Sequence, residues 1–157
     1  MSANQNAPAI RLAASLASRA DQIVYRGGYR YQTKAKYFTK VSIFPPAPVF
    51  NDFVQLHPDG SLIISSGYAW DGPSGPTVHT SNFMRASLVH DALYQLMREK
   101  LLPQQARLQA DIELRRICRE DGMSRFRSTY VFWAVRLFGA SAAEAGKLDG
   151  LLVAPRP

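Results

Sequence analysis

Hydrophobic positions divide this chain into two halves. In the first half, short runs rich in Tyr, Val, Phe and Thr are separated by turn residues, which predicts antiparallel strands. Two such runs cover residues 23–33 and 36–44, with Gly27 and Gly28 marking a bulge or tight turn inside the first. Pro45, Pro46 and Pro48 then halt regular structure, because proline removes a ladder donor. Residues 53–57 and 62–66 flank Pro58-Asp59-Gly60-Ser61 and predict a hairpin. The second half reads as helical. One helix is expected over residues 82–100, with Ser81 or Asn82 as its cap. A second is expected over 104–120, opened by Pro103 and stopped by Gly122. A third is expected over 124–138, ending at Gly139, with Tyr130, Phe132, Trp133 and Phe138 as its core stripe. The predicted class is α+β: a small N-terminal antiparallel sheet followed by a bundle of three helices.

Leu12, Leu16 and Ala20 recur every fourth residue, so residues 1–22 read as an arm or a short helix. Residues 23–140 form the single α+β domain, and the Ala- and Gly-rich stretch 141–157 reads as a flexible tail. Between the halves, residues 67–77 mix glycine and proline with Tyr68 and Trp70, which predicts an ordered but irregular loop.

A chain of 157 residues is long enough to bury a core, and 46% hydrophobic with 20% charged residues is a globular balance. One cysteine, Cys118, rules out a disulfide within the chain and is expected to pack as a small apolar residue. No CxxC or HxxxH spacing points to a structural zinc site. Arg11 and Arg19 interrupt the weakly apolar N-terminal stretch, so no secretory signal is expected. No run of about 18 apolar residues suggests a membrane span.

The net charge of +7 favours anionic partners, namely phospholipid, nucleic acid or an acidic protein. Arg115, Arg116 and Arg119, with Arg125 and Arg127, form either a solvated face or a basic patch. No recognised nucleic-acid motif accompanies them, which ranks nucleic acid last among these partners. His57, next to the hairpin turn, and His79, in the loop, read as surface residues.

Candidate chemistry gathers on the first two helices. His90 and Tyr94 are four residues apart and share a face, with Asp91 about a quarter turn away. Asp111 shares a face of the second helix with Leu108, Leu114 and Cys118. A carboxylate on an apolar face needs a partner. The short connection 101–103 makes the helices antiparallel neighbours, which brings Asp111 level with Tyr94 and one turn from His90. Asp111 is then expected to reach the His90 ring, the Tyr94 hydroxyl, or both. A histidine held by a buried acid is a general-base arrangement. Asp91, beside a glycine-rich loop with exposed carbonyls, has the makings of a calcium ligand.

Two resemblances follow from these residues. Tyr68-x-Trp70-Asp71-Gly72-Pro73-Ser74-Gly75, the segment from Arg85 through His90-Asp91-Ala92-Leu93-Tyr94, Ala110-Asp111, and Val135-Arg136-Leu137-Phe138-Gly139 resemble a family of small uncharacterised proteins of tailed phages and prophages. That resemblance covers about residues 25–140. It implies a phage origin, with the host bacterial cytoplasm or the virion as location and virion proteins as possible partners. Residues 68–115 also resemble phospholipase A2, in particular the cysteine-poor kind carried by some viral capsid proteins. That resemblance implies His90 as the base that activates water, with Asp111 and Tyr94 orienting it. It implies calcium bound by Asp91 and by loop groups at Trp70, Gly72 and Ser74, with the Gly72 amide and the ion facing the oxyanion. Two departures stand out: Trp70 replaces the loop tyrosine, and Ser74 replaces the second loop glycine.

The leading expectation is a phage-encoded accessory hydrolase acting on a phospholipid or similar ester. The alternative is a minor virion or tail-associated protein in which His90, Asp111 and Tyr94 only hold the fold. A third reading is a host-interaction protein that uses its basic face.

Overall fold

The computed structural model describes residues 31–72 and 80–144, together with the backbone of Tyr25–Arg26. The expected arm over 1–22, the Gly27-Gly28 bulge, Ser74, His79 and the tail beyond residue 144 lie outside the described residues.

The architecture is α+β, a small antiparallel sheet region followed by helices. Among the described residues, seven short strands form two sheets rather than one. Strands β1 (Tyr25–Arg26), β2 (Tyr31–Thr33) and β7 (Ala69–Trp70) form a three-stranded sheet in the order β1-β2-β7. Strands β3 (Tyr37–Lys40), β4 (Val49–Phe50), β5 (Val54–Leu56) and β6 (Ser61–Ile64) form a second in the order β3-β6-β5-β4. The β5–β6 hairpin matches expectation. Asp59 accepts from the Ser61 amide at 3.0 Å, and Gly60 takes the left-handed φ of 78° that this turn requires. Strand alternation turns Val54, Leu56, Leu62 and Ile64 inward, where all four are fully buried.

The prolines halt regular structure as expected, with no helix or strand over residues 45–48. Val49–Phe50 begins directly after Pro48 and pairs with β5 as the edge strand of its sheet. The irregular loop expected over 67–77 is partly strand. Ala69 and Trp70 pair with Gln32 and Tyr31. Buried Thr33 ties this sheet to the end of β6: its hydroxyl donates to the Ser65 carbonyl at 2.8 Å, and its carbonyl accepts from the Gly67 amide at 2.8 Å.

Helix α1 (Ser81–Arg98) carries thirteen buried residues and runs through the core. Thr80, rather than Ser81 or Asn82, occupies its N-cap position. The second helix begins as a 3-10 turn, Gln104–Ala106, and continues as α2 (Arg107–Glu120). It ends as Gly122 predicts. Gly122 has φ 86°, its amide donates to Arg119, and the Met123 amide reaches back to Cys118. Helix α3 (Arg125–Phe138) is capped by Ser124, whose side chain accepts from the Arg127 amide. The chain does not fray after Gly139. It forms a further turn, α4 (Ala140–Ala143), held by Arg98 donating to the Ala142 carbonyl and Gln104 to the Ala143 carbonyl, each at 2.7 Å.

Two apolar predictions are overturned. The aromatic stripe of α3 is not core. Trp133 is 57% exposed and Phe138 78%, with Tyr130 also exposed, because α3 turns its smaller residues Ser128 and Val131 inward. Leu108 is exposed too, so the buried residues of α2 are Ala110, Asp111, Glu113, Leu114, Ile117 and Cys118.

A second carboxylate, Glu113 of α2, is buried at the sheet boundary. It accepts from the Ser42 amide at 2.9 Å and from Arg116 at 2.7 Å, and Arg116 in turn donates to the Lys40 carbonyl at 3.0 Å.

Candidate functional site

Asp111 is fully buried and its carboxylate is the hub of the site. One oxygen, Oδ1, lies 2.8 Å from His90 Nε2 and accepts from the Tyr94 hydroxyl at 2.7 Å. The antiparallel pairing of α1 and α2 thus brings Asp111 to both of the partners open to it from the sequence. The other oxygen, Oδ2, accepts from Arg136 Nη1 of α3 at 2.9 Å. Tyr94 donates to Asp111 and accepts from Arg107 Nε at 3.1 Å. Arg107 also donates to the carbonyls of Val135 and Arg136, at 3.0 and 2.8 Å, and so closes the C-terminal end of α3.

Sequence reasoning missed Arg136 and Arg107 as members of this cluster. A signal for Arg136 was present: it is the one charge in an apolar stretch, and a half-buried guanidinium seeks a carboxylate. Arg107 lies in the first turn of α2 and carries no comparable mark.

The hydrogen-bond pattern fixes the histidine tautomer. An ionised carboxylate only accepts, so Nε2 carries the proton toward Asp111 and Nδ1 is left on the other side of the ring. On that side Asp91 Oδ1 stands at 3.8 Å, which is ion-pair range and too long for a hydrogen bond. Exposure grades across the cluster. The Asp111 side chain is fully buried, that of His90 is 8% exposed and that of Asp91 is 29% exposed. Solvent therefore meets the cluster at Asp91 on one side and at Arg136, whose side chain is 28% exposed, on the other.

Electrostatics follow this gradient. Burial opposes the charged form of His90. The Asp111 hydrogen bond and the two neighbouring carboxylate charges outweigh it and hold the imidazole above its ordinary value of 6.5. Burial likewise pushes the Asp111 carboxyl up. His90, then Tyr94 and Arg136, overcome that and hold it below 3.8. The Tyr94 hydroxyl is raised, first by burial and then by Asp111, and stays protonated as a donor.

The expected loop ligands separate into different roles. Trp70 is buried in β7, its ring tilted against Tyr31 at 5.5 Å between centroids and its indole N–H donating to Ser87 of α1 at 3.1 Å. It anchors the loop to the helix that carries His90. Gly72 has φ 75°, and a side chain there would run into the Tyr31 ring, so no other residue fits without strain. Ser74 is outside the described residues. Among the described residues no group of three His, Cys, Asp or Glu side chains is arranged to hold a metal ion. Asp71 is among the charges that act on the Asp91 carboxylate.

No family model, curated protein or solved structure matches this chain. No described helix is long and apolar enough to cross a membrane.

Proposed function

We propose that the protein is a phage- or prophage-encoded accessory hydrolase that cleaves a phospholipid or similar ester with a His90/Asp111 dyad. One observation carries the reading: the buried acid engages Nε2 and leaves Nδ1 on the side where Asp91 meets solvent. In that arrangement Nδ1 takes a proton from water, the hydroxide attacks the ester carbonyl, and the imidazolium returns the proton to the leaving alcohol. Asp111 keeps the ring oriented and stabilises the charge that forms, and Tyr94 and Arg136 fix Asp111. Calcium, when bound at Asp91 with carbonyls near Trp70, Gly72 and Ser74, would supply a Lewis acid for the ester oxygen.

The test is hydrolysis of a fluorogenic phospholipid by the whole chain, with calcium and with a chelator. The expected result is turnover that calcium supports and that His90→Ala abolishes while the fold persists. Turnover surviving in His90→Ala, or none in the wild type with calcium, overturns the reading.

A second reading has its own support. Arg136 and Arg107 make the Asp111–Tyr94 pair a joint between α1, α2 and α3. A joint of that kind serves a minor virion or tail-associated protein with no reaction to perform.

A further inference from the structure

The face of α3 that the sequence marks as core is presented to solvent. Phe126, Tyr130, Trp133 and Leu137 recur at intervals of four, three and four residues, which places them in one stripe. They are 88%, 49%, 57% and 69% exposed. The stripe runs about 16 Å along the helix at 1.5 Å per residue. The antiparallel partner α2 carries a matching exposed row, Leu108, Ile112, Arg115 and Arg119. Across the turn at Gly122, Leu108 and Ile112 are level with Leu137 and Trp133, and Arg115 and Arg119 with Tyr130 and Phe126. The hairpin is thus apolar at one end and aromatic with arginine at the other. Helix α3 contains no acidic residue, and exposed Arg125 adds a further cation at the basic end.

From this we infer that the α2–α3 hairpin is a docking surface for an anionic phospholipid bilayer. A helix with aromatic and leucine side chains on one face and arginines beside them suits the headgroup boundary, where ring bodies enter the acyl region and cations meet phosphate. Charge selects this occupant over a second copy of the chain, since a second such face would meet the arginines either with its own arginines or with its apolar end, and in neither case with an anion. The inference does not depend on hydrolysis and holds under either reading of the His90 cluster.

The test uses the full chain, calcium chelated, and sedimentation with vesicles of phosphatidylglycerol and phosphatidylcholine in equal parts or of phosphatidylcholine alone. Expected results are binding to the anionic vesicles, weakening with salt, and a blue shift of tryptophan emission. Phe126→Ser combined with Trp133→Ser, and separately Arg115→Glu combined with Arg125→Glu, should weaken partition roughly tenfold or more. Phe38→Ser, an exposed site on the outer sheet face, should leave it unchanged. Circular dichroism confirms that the variants fold. The inference is overturned by absence of binding, by equal loss in Phe38→Ser, or by partition that ignores both double variants. It is equally overturned if the stripe variants abolish a dimer of the vesicle-free protein, or if Trp133 is already shielded from a soluble quencher without vesicles. A failed hydrolysis assay with intact binding leaves it standing.

Discussion

At the scale of single residues, the buried Asp111 carries the largest consequence. Its carboxylate satisfies His90, Tyr94 and Arg136 together, so removing it strands a guanidinium and an imidazole against the core. Asp111→Ala is expected to destabilise the protein by about 3 kcal/mol or more in chemical denaturation, the usual scale for breaking a buried charged pair. The pH dependence has a definite sign. Because folding lowers this carboxyl below 3.8, its stabilisation is complete above that pH and is lost as pH falls toward the native value. The stability gap between wild type and Asp111→Asn should therefore be widest at pH 5 to 6 and close on acidification, and a gap unchanged down to pH 2 would contradict this. Cys118 gives a second residue-level expectation. Burial pushes its thiol up to about 12, so it should resist a thiol reagent at pH 8 in the native protein and react once in denaturant. The pairing of Asp111 with His90 and Tyr94 was legible because helical spacing and a short connection fix which levels of a hairpin meet. The contribution of Arg136 was not, since it comes from a third helix whose rotation no local spacing encodes.

At the scale of elements, legibility followed length. The three long helices were readable from period and punctuation. Ser124 and Gly122 act as their sequence positions imply, through a side-chain cap and a left-handed stop. Ser124→Ala should cost about 1 kcal/mol of stability, read from thermal melts. The two-residue strands β4 and β7 were unreadable, because two residues show no alternation and their pairing depends on distant partners. For α3 the pattern indicated an apolar face truly but not its neighbour. Periodicity reports that a stripe exists, and only tertiary packing decides whether protein or solvent covers it. Gly72 closes β7 under a similar tertiary constraint. Gly72→Ala should destabilise by more than the about 1 kcal/mol of left-handed strain alone, because the methyl group also meets the Tyr31 ring. If Tyr31→Ala fails to relieve part of that loss in the double variant, the ring is not the obstacle.

At the scale of the whole molecule, buried polar ties join the sheets to the helices: Trp70 of β7 donates to Ser87 of α1, and Glu113 of α2 reaches the second sheet. Its carboxylate holds the Ser42 amide just after β3, and its partner Arg116 holds the last carbonyl of that strand. A seam of this kind decides how the protein comes apart. With it intact, strands and helices should melt in a single cooperative transition, with calorimetric and van't Hoff enthalpies in agreement. With Glu113→Ala, the Ser42 amide loses its acceptor and the sheet should begin to open on its own. Hydrogen exchange would show this as faster labelling of β3 to β6 than of α1, where the wild type protects both alike. The chain therefore has a built-in order of failure, and an acidic side chain two residues along α2 from Asp111 helps to set it.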